Sequence, residues 1–158
     1  GAGGLGSPIS IYLSALGIGK IGIVDKDKVE LSNLNRQVIF ETNDLKKEKS
    51  LAAANKLKRI NPDISIKSFK QKINSKNINQ IAKEFRIIVD GSDNFKTRFL
   101  INDYCLKKKK ILISGAISKF DGQVYTFNFL KKNLLAWDAL FQICRQTLIL
   151  IIANMRAF

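Results

Sequence analysis

Histidine is absent from the 158 residues, and cysteine occurs only at Cys105 and Cys144. Structural zinc takes four Cys or His ligands, so the chain cannot build a zinc site of its own. Nothing in it resembles a signal peptide, and lone cysteines of this kind read as cytoplasmic. Long apolar runs are missing too. Leu148 to Ala153 is apolar, but a membrane-crossing helix needs about 20 such residues. Acidic side chains are scarce, with 13 Asp plus Glu against 27 Lys plus Arg and a formal net charge of +14. Such an excess is one mark of nucleic-acid binding. Here the lysines are scattered, basic and aromatic residues do not interleave, and the longest basic block is Lys107–Lys110. Nucleic acid is therefore disfavoured, and a basic surface that draws anionic ligands is the better reading. The heavy use of Lys, Ile and Asn fits an AT-rich coding bias. The length suits one domain with a real core.

What is present is concentrated at the front. Gly1, Gly3 and Gly6 fit the G-x-G-x-x-G spacing, with Gly4 inside it. Such a loop lets the backbone turn tightly and approach a phosphate. Ser7, Pro8 and the apolar-rich Ile9 to Leu16 predict a helix whose first turn offers free N–H groups to an anion. Ile21 to Val24 predicts a strand that ends at Asp25. Asp25 lies where a nucleotide-binding βαβ unit places the carboxylate that grips a ribose. The loop alone does not choose between NAD, FAD and ATP. The strand that leads into such a loop is usually central to the sheet. It is not in the sequence, so the chain reads as cut at its front, with a central position left open.

Lys26 to Val38 is a long polar loop carrying Asn33, Asn35, Arg36 and Gln37. Arg36 brings a rigid five-donor fork suited to phosphate oxygens, or else caps a neighbouring carbonyl. Asn43 or Asp44 is expected to cap a helix running to Ile60, stopped by Asn61-Pro62. Periodicity leaves Lys49 on that helix ambiguous, since most helical lysines are solvated. Ile64 to Phe69 predicts a strand, Ser75 to Ala82 a short helix, and Phe85 to Val89 a strand ending at Asp90 and Asp93. Asp93 either works on a metal or nucleotide or caps the next helix. Thr97 to Lys108 predicts a helix with Phe99, Leu100 and Tyr104 inward, and Cys105 in the core. Ile111 to Ile113 predicts a strand, Gly115 to Gly122 a turn region, and Gln123 to Phe129 an edge strand. The fold class is α/β, a Rossmann-like, mostly parallel sheet with flanking helices.

With these residues placed, the chain resembles the ubiquitin-activating-like adenylating enzymes of bacteria, the ThiF/MoeB/HesA group. They activate the sulfur carriers of thiamine and molybdopterin synthesis. The matching stretches are GAGGLGSP (1–8), the stretch Ile23 to Gln37 with its SNLNRQ, Lys49, RINP (59–62), VDGSDNF followed by Thr97-Arg98, and SGAISKFDGQV (114–124). The resemblance covers residues 1 to about 129 and implies ATP rather than NAD. It implies that Gly1, Gly3, Gly4 and Gly6 lie against the nucleotide and that Asp25 binds ribose. It places Asn33, Arg36 and Lys49 around the phosphates and Asp93 at magnesium. The implied reaction is attack of a carrier protein's C-terminal glycine carboxylate on the α-phosphorus of ATP. The implied partner ends in Gly-Gly, and intact relatives are expected to be homodimers. An NAD- or FAD-binding oxidoreductase and an inactive nucleotide-binding remnant are the rival readings.

After Phe129 the resemblance stops. Relatives continue into a C-x-x-C pair, and here Lys131-Lys132-Asn133 leads into an apolar tail. Residues 1–129 thus read as a partial adenylation domain and 130–158 as an atypical tail. Lys-Lys-Asn can be encoded almost wholly in A, and a shifted frame after it can restore Cys-x-x-Cys. The favoured expectation is a frameshifted tail with no element to receive it. The alternative is a genuine tail acting as a membrane-surface or partner helix.

Overall fold

The computed structural model describes residues 1–118, 120–130 and 148–152. Apolar residues alternate along the strands, so each strand feeds two layers. From β1 (Lys20–Val24), Ile21 and Ile23 enter one apolar cluster and Val24 the other. β3 (Ile87–Asp90) sends Ile87 and Val89 one way and Ile88 the other. α2 (Lys49–Ile60) closes the first layer with Ala52, Ala53 and Leu57. α3 (Ile78–Ala82) and α4 (Phe95–Lys108) close the second with Ile78, Ile81, Ile101, Tyr104 and Cys105. A parallel sheet requires this cover on both faces.

β2 (Ser65–Phe69), β4 (Ile111–Ser118), β5 (Asp121–Asn128) and β6 (Leu148–Ile152) complete the sheet, in the order β2-β1-β6-β3-β4-β5. All neighbours are parallel except β5, which runs antiparallel to β4 at one edge. The Rossmann-like α/β architecture is as the sequence predicts, and so is the edge strand.

The central position is not open. β6 fills it, pairing Lys20 to Val24 with Leu148 to Ile152 on one side and Ile87 to Asp90 with Ile149 to Ile152 on the other. This corrects the expectation that the tail has no receiving element and that Leu148 to Ala153 forms a partner helix. β1 and β3 offer facing rows of backbone donors and acceptors, and any apolar segment of strand length that reaches them satisfies both rows. The proposed Cys-x-x-Cys reading frame around Leu135 to Phe141 lies outside the described residues.

Three further boundaries differ. The helix expected from Asn43 starts at Lys49, because Lys46 takes a left-handed φ of 67° and breaks it from a short 3-10 turn at Thr42–Asp44. The Gly115 to Gly122 region is mostly the continuation of β4 and the start of β5, with the turn confined to the link between Ser118 and Asp121. Phe99 is exposed on α4 instead of inward, and Ile101 takes the buried place.

α1 (Gly6–Ala15) presents small side chains to the interior. Ser7, Ser10 and Ser14 are buried, while Tyr12 and Leu16 are exposed. The Ser10 hydroxyl donates to the Ser7 carbonyl at 2.9 Å, and that of Ser14 to the Leu57 carbonyl at 3.0 Å. Serines that bond to carbonyls carry no bulk, so α1 lies close against its neighbours. Gly17, at φ 74°, ends the helix in a conformation that favours glycine.

Candidate functional site

The glycine loop sits at the carboxyl ends of the strands, where open α/β sheets bind ligands. Gly1, Gly3 and Gly6 are buried and Gly4 is half-buried. The Ala2 N–H donates to Asp25 Oδ2 at 3.0 Å, so the carboxylate that ends β1 fixes the loop. Asp25 Oδ1 accepts the Asp27 N–H at 2.9 Å, and the Lys49 N–H donates to the Asp27 carbonyl at 2.9 Å. One hydrogen-bonded line therefore joins the glycine loop, Asp25 and the first turn of α2. Gly115 of β4 also comes near: a Cβ there would lie 3.4 Å from Leu5 Cδ1.

Lys49 is the clearest gain over the sequence. Its place in the first helical turn follows from the break at Lys46. It is 94% buried by accessible surface, and among the described residues no carboxylate pairs with its ammonium. A buried lysine without an anion is costly unless an anion arrives. Asn33 is buried in the polar loop, and its Oδ1 accepts the Glu30 N–H at 3.1 Å. Arg36 is half-buried. Its Nη1 donates to the Ser32 carbonyl at 2.8 Å and to Asn35 Oδ1 at 3.0 Å. That is the carbonyl-capping arrangement, and it leaves other guanidinium donors uncommitted in it.

At the end of β3, burial pushes the Asp90 carboxyl above its ordinary range, and the Ser92 N–H, which donates to Asp90 Oδ1 at 2.9 Å, opposes the shift. The cap of α4 belongs to Asn94, whose Oδ1 accepts the Thr97 N–H at 2.9 Å. Asp93 is exposed beside it and accepts from Asn94 Nδ2 at 3.3 Å. The capping alternative for Asp93 is thereby answered. Arg98 clamps this loop, donating to the carbonyls of Ser92 at 2.6 Å and Gly115 at 2.8 Å. Cys105 lies in the core, and burial pushes its thiol up to about 12, which keeps it neutral and rules it out as a nucleophile.

Buried polar atoms without a partner mark the site independently. Gln37 Nε2 and Oε1, Glu48 Oε2, Ser50 Oγ and Ser92 Oγ are all of this kind. Every one lies on the β1–α2 or β3–α4 connection or at the start of α2, on the carboxyl-end side. Among the described residues only the Tyr104 hydroxyl lies elsewhere. Native interiors satisfy such groups, so a cluster of exceptions asks for a ligand. Gln37 was visible in sequence as one of several polar loop residues. Ser92 and Arg98 fall within the stretch that carries the resemblance without being assigned a role there, and Ser50 gave no composition or spacing signal. Two surface grooves of about 450 and 500 Å³ lie over α2, and neither includes a sequence-predicted site residue.

The donor set fits a polyanionic nucleotide: glycine-loop N–H groups, a buried ammonium, a guanidinium and unpaired hydroxyls. It does not fit a metal held by protein alone. Among the described residues no three His, Cys, Asp or Glu side chains gather. No helix among them is long and apolar enough to cross a membrane.

Comparison with known proteins gives the family. The chain is 50% identical over 129 residues to "Probable molybdopterin-synthase adenylyltransferase" of Porphyra purpurea, covering 82% of this chain and 34% of that protein. It is 44% identical over 128 residues to "Sulfur carrier protein adenylyltransferase" of Thermus thermophilus, covering 81% and 47%. The chain thus spans less than half of the length of these relatives. Among solved structures, Escherichia coli MccB with ATP superposes with a TM-score of 0.68 and 32% identity, covering 73% of this chain and 34% of that one. The family model described as "ThiF family" matches residues 1–148, and the chain belongs to that family.

Proposed function

We propose that this chain is the ATP-binding part of an enzyme that adenylates the C-terminal glycine carboxylate of a ubiquitin-like sulfur-carrier protein ending in Gly-Gly. The observation that carries the reading is that buried polar groups without a partner stand on the same connections and the same helix start as Lys49 and Asp93. The names of the Porphyra and Thermus relatives, and the ATP in the MccB structure, support the same chemistry. The catalytic part is residues 1–129, and the pathway is thiamine or molybdopterin synthesis.

In this reading Gly1, Gly3, Gly4 and Gly6 bring backbone N–H groups to the nucleotide, and Asp25 holds the ribose while keeping the loop in place. Asn33 orients the polar loop. Arg36 leaves the Ser32 carbonyl and, with Lys49, neutralises the phosphates. Asp93 would hold a magnesium ion jointly with the phosphate oxygens, since magnesium binds through few carboxylates when phosphates are present. The ion supplies further charge neutralisation. The carboxylate oxygen bonds to the α-phosphorus, and the bond from that phosphorus to the bridging oxygen breaks. Pyrophosphate leaves with the electron pair, and no proton is transferred. The protein's part is alignment and placement of positive charge.

The test is pyrophosphate exchange into ATP, with and without a carrier protein ending in Gly-Gly. Carrier-dependent exchange, with no affinity for NAD by calorimetry, is the expected result. Tighter binding of NAD than of ATP overturns the reading.

A further inference from the structure

Gln37 is fully buried, and neither end of its carboxamide has a hydrogen-bond partner among the described residues. Its backbone is well held: its N–H donates to the Asn33 carbonyl at 2.9 Å, and its carbonyl accepts the Phe40 N–H at 3.0 Å. The side chain therefore stays unpaired in a turn that is itself ordered. The same turn carries Asn33 and Arg36.

The kind of partner follows from the two free ends. Nε2 needs an acceptor and Oε1 needs a donor. A phosphate has acceptors only and would leave Oε1 bare. A secondary amide of an extended peptide offers a carbonyl and an N–H together. The edge of an aminopurine does so as well. Place in the chain, with the role proposed for Arg36, favours the peptide. Gln37 directly follows Arg36, which the proposed function sets at the phosphates, and the last peptide bonds of the acyl substrate must reach that point. The purine lies a ribose away from it. We infer that Gln37 is a binding residue for the C-terminal peptide backbone of the protein substrate, its carboxamide kept unpaired until that peptide arrives. The inference rests on the adenylation reading given above.

The variant Gln37→Met, made in the full chain, separates the outcomes. Met has similar bulk and no polar atoms, and removing an unpaired amide does not destabilise the free protein. The variant should melt at or above the wild-type temperature. Its KM for the carrier should rise about tenfold, with KM for ATP within about twofold. A readout independent of turnover is the side-chain NH₂ resonance of Gln37, assigned by its loss in the variant. It should shift when a synthetic peptide ending in Gly-Gly is added with a non-hydrolysable ATP analogue, and stay put with the analogue alone. A shift with the analogue alone, or a rise in KM for ATP instead, moves Gln37 to the purine and overturns the proposal. No shift under either condition, or a fall in melting temperature, makes the amide structural and overturns it also. Absence of wild-type exchange strikes the adenylation reading, and the resonance then still decides whether Gln37 meets a peptide.

Discussion

At the amino ends of the strands, the ammonium of Lys110 donates to the carbonyls of Lys83, at 3.1 Å, and Phe85. On the same side Glu84 takes both Lys20 and Lys67. At the carboxyl ends, Gln37, Ser50, Ser92 and one oxygen of Glu48 keep buried polar atoms without a partner, and Lys49 is buried with no carboxylate beside its ammonium among the described residues. The two rims share one sheet and one pair of apolar layers. One closes its charged groups on the protein. The other holds polar groups open at a cost of about 1–3 kcal/mol for each unsatisfied group. A fold that selected for stability alone would treat the rims alike.

The sharpest way to break the contrast is Lys110→Met. One buried and one part-buried carbonyl lose their donor, so stability should fall by about 1–3 kcal/mol. Urea unfolding checks this, and pyrophosphate exchange per folded molecule should not change. Asp25→Ala comes next and is the one carboxyl-rim change expected to register on both scales. It frees the N–H groups of Ala2 and Asp27. We expect a loss of about 1–3 kcal/mol in unfolding, with weaker ATP binding by calorimetry. If unfolding is unaffected, Asp25 does not organise the loop.

Arg36→Ala and Lys49→Ala should each slow adenylation at least tenfold, about 1.4 kcal/mol in the transition state, with unfolding free energy nearly unchanged. Near-normal exchange in both variants removes them from the site. The smallest effect is at Glu84. Hydrogen bonds from Lys20 and then Lys67 hold its carboxyl below the ordinary value of 4.5. Its contribution is therefore present above that value and is lost as pH falls through the lower, folded one. Glu84→Gln should shift the urea midpoint slightly at pH 7, because exposed pairs contribute little, and by progressively less as pH falls through the lowered carboxyl value.

Much of this was readable in advance, for reasons specific to each part. The glycine spacing, the strand to Asp25 and the SNLNRQ and DGSDNF stretches depend on local geometry, and local geometry is written in neighbouring residues. Lys49 was ambiguous because a helix was drawn through Lys46, and nothing in its neighbours announces a left-handed φ at a lysine. Ser50 and Ser92 were missed because burial is decided by what packs above them. β6 was misjudged for the same reason: Leu148 to Ile152 is an apolar segment of either type until β1 and β3 are seen to flank it.

That arrangement has a consequence in time. β6 lies in the middle of the sheet, between β1 and β3, yet it follows all the other described strands in the chain. Until it pairs, nothing among the described strands bridges β1 and β3, and the two apolar layers grow on separate half-sheets. Local pairs such as the β4–β5 hairpin can form early, whereas the joining event must bring together the most distant parts of the chain. The interval leaves two strand edges open to other chains. Temperature and crowding during synthesis, more than the final stability of the sheet, should then govern how much of this protein reaches its native form.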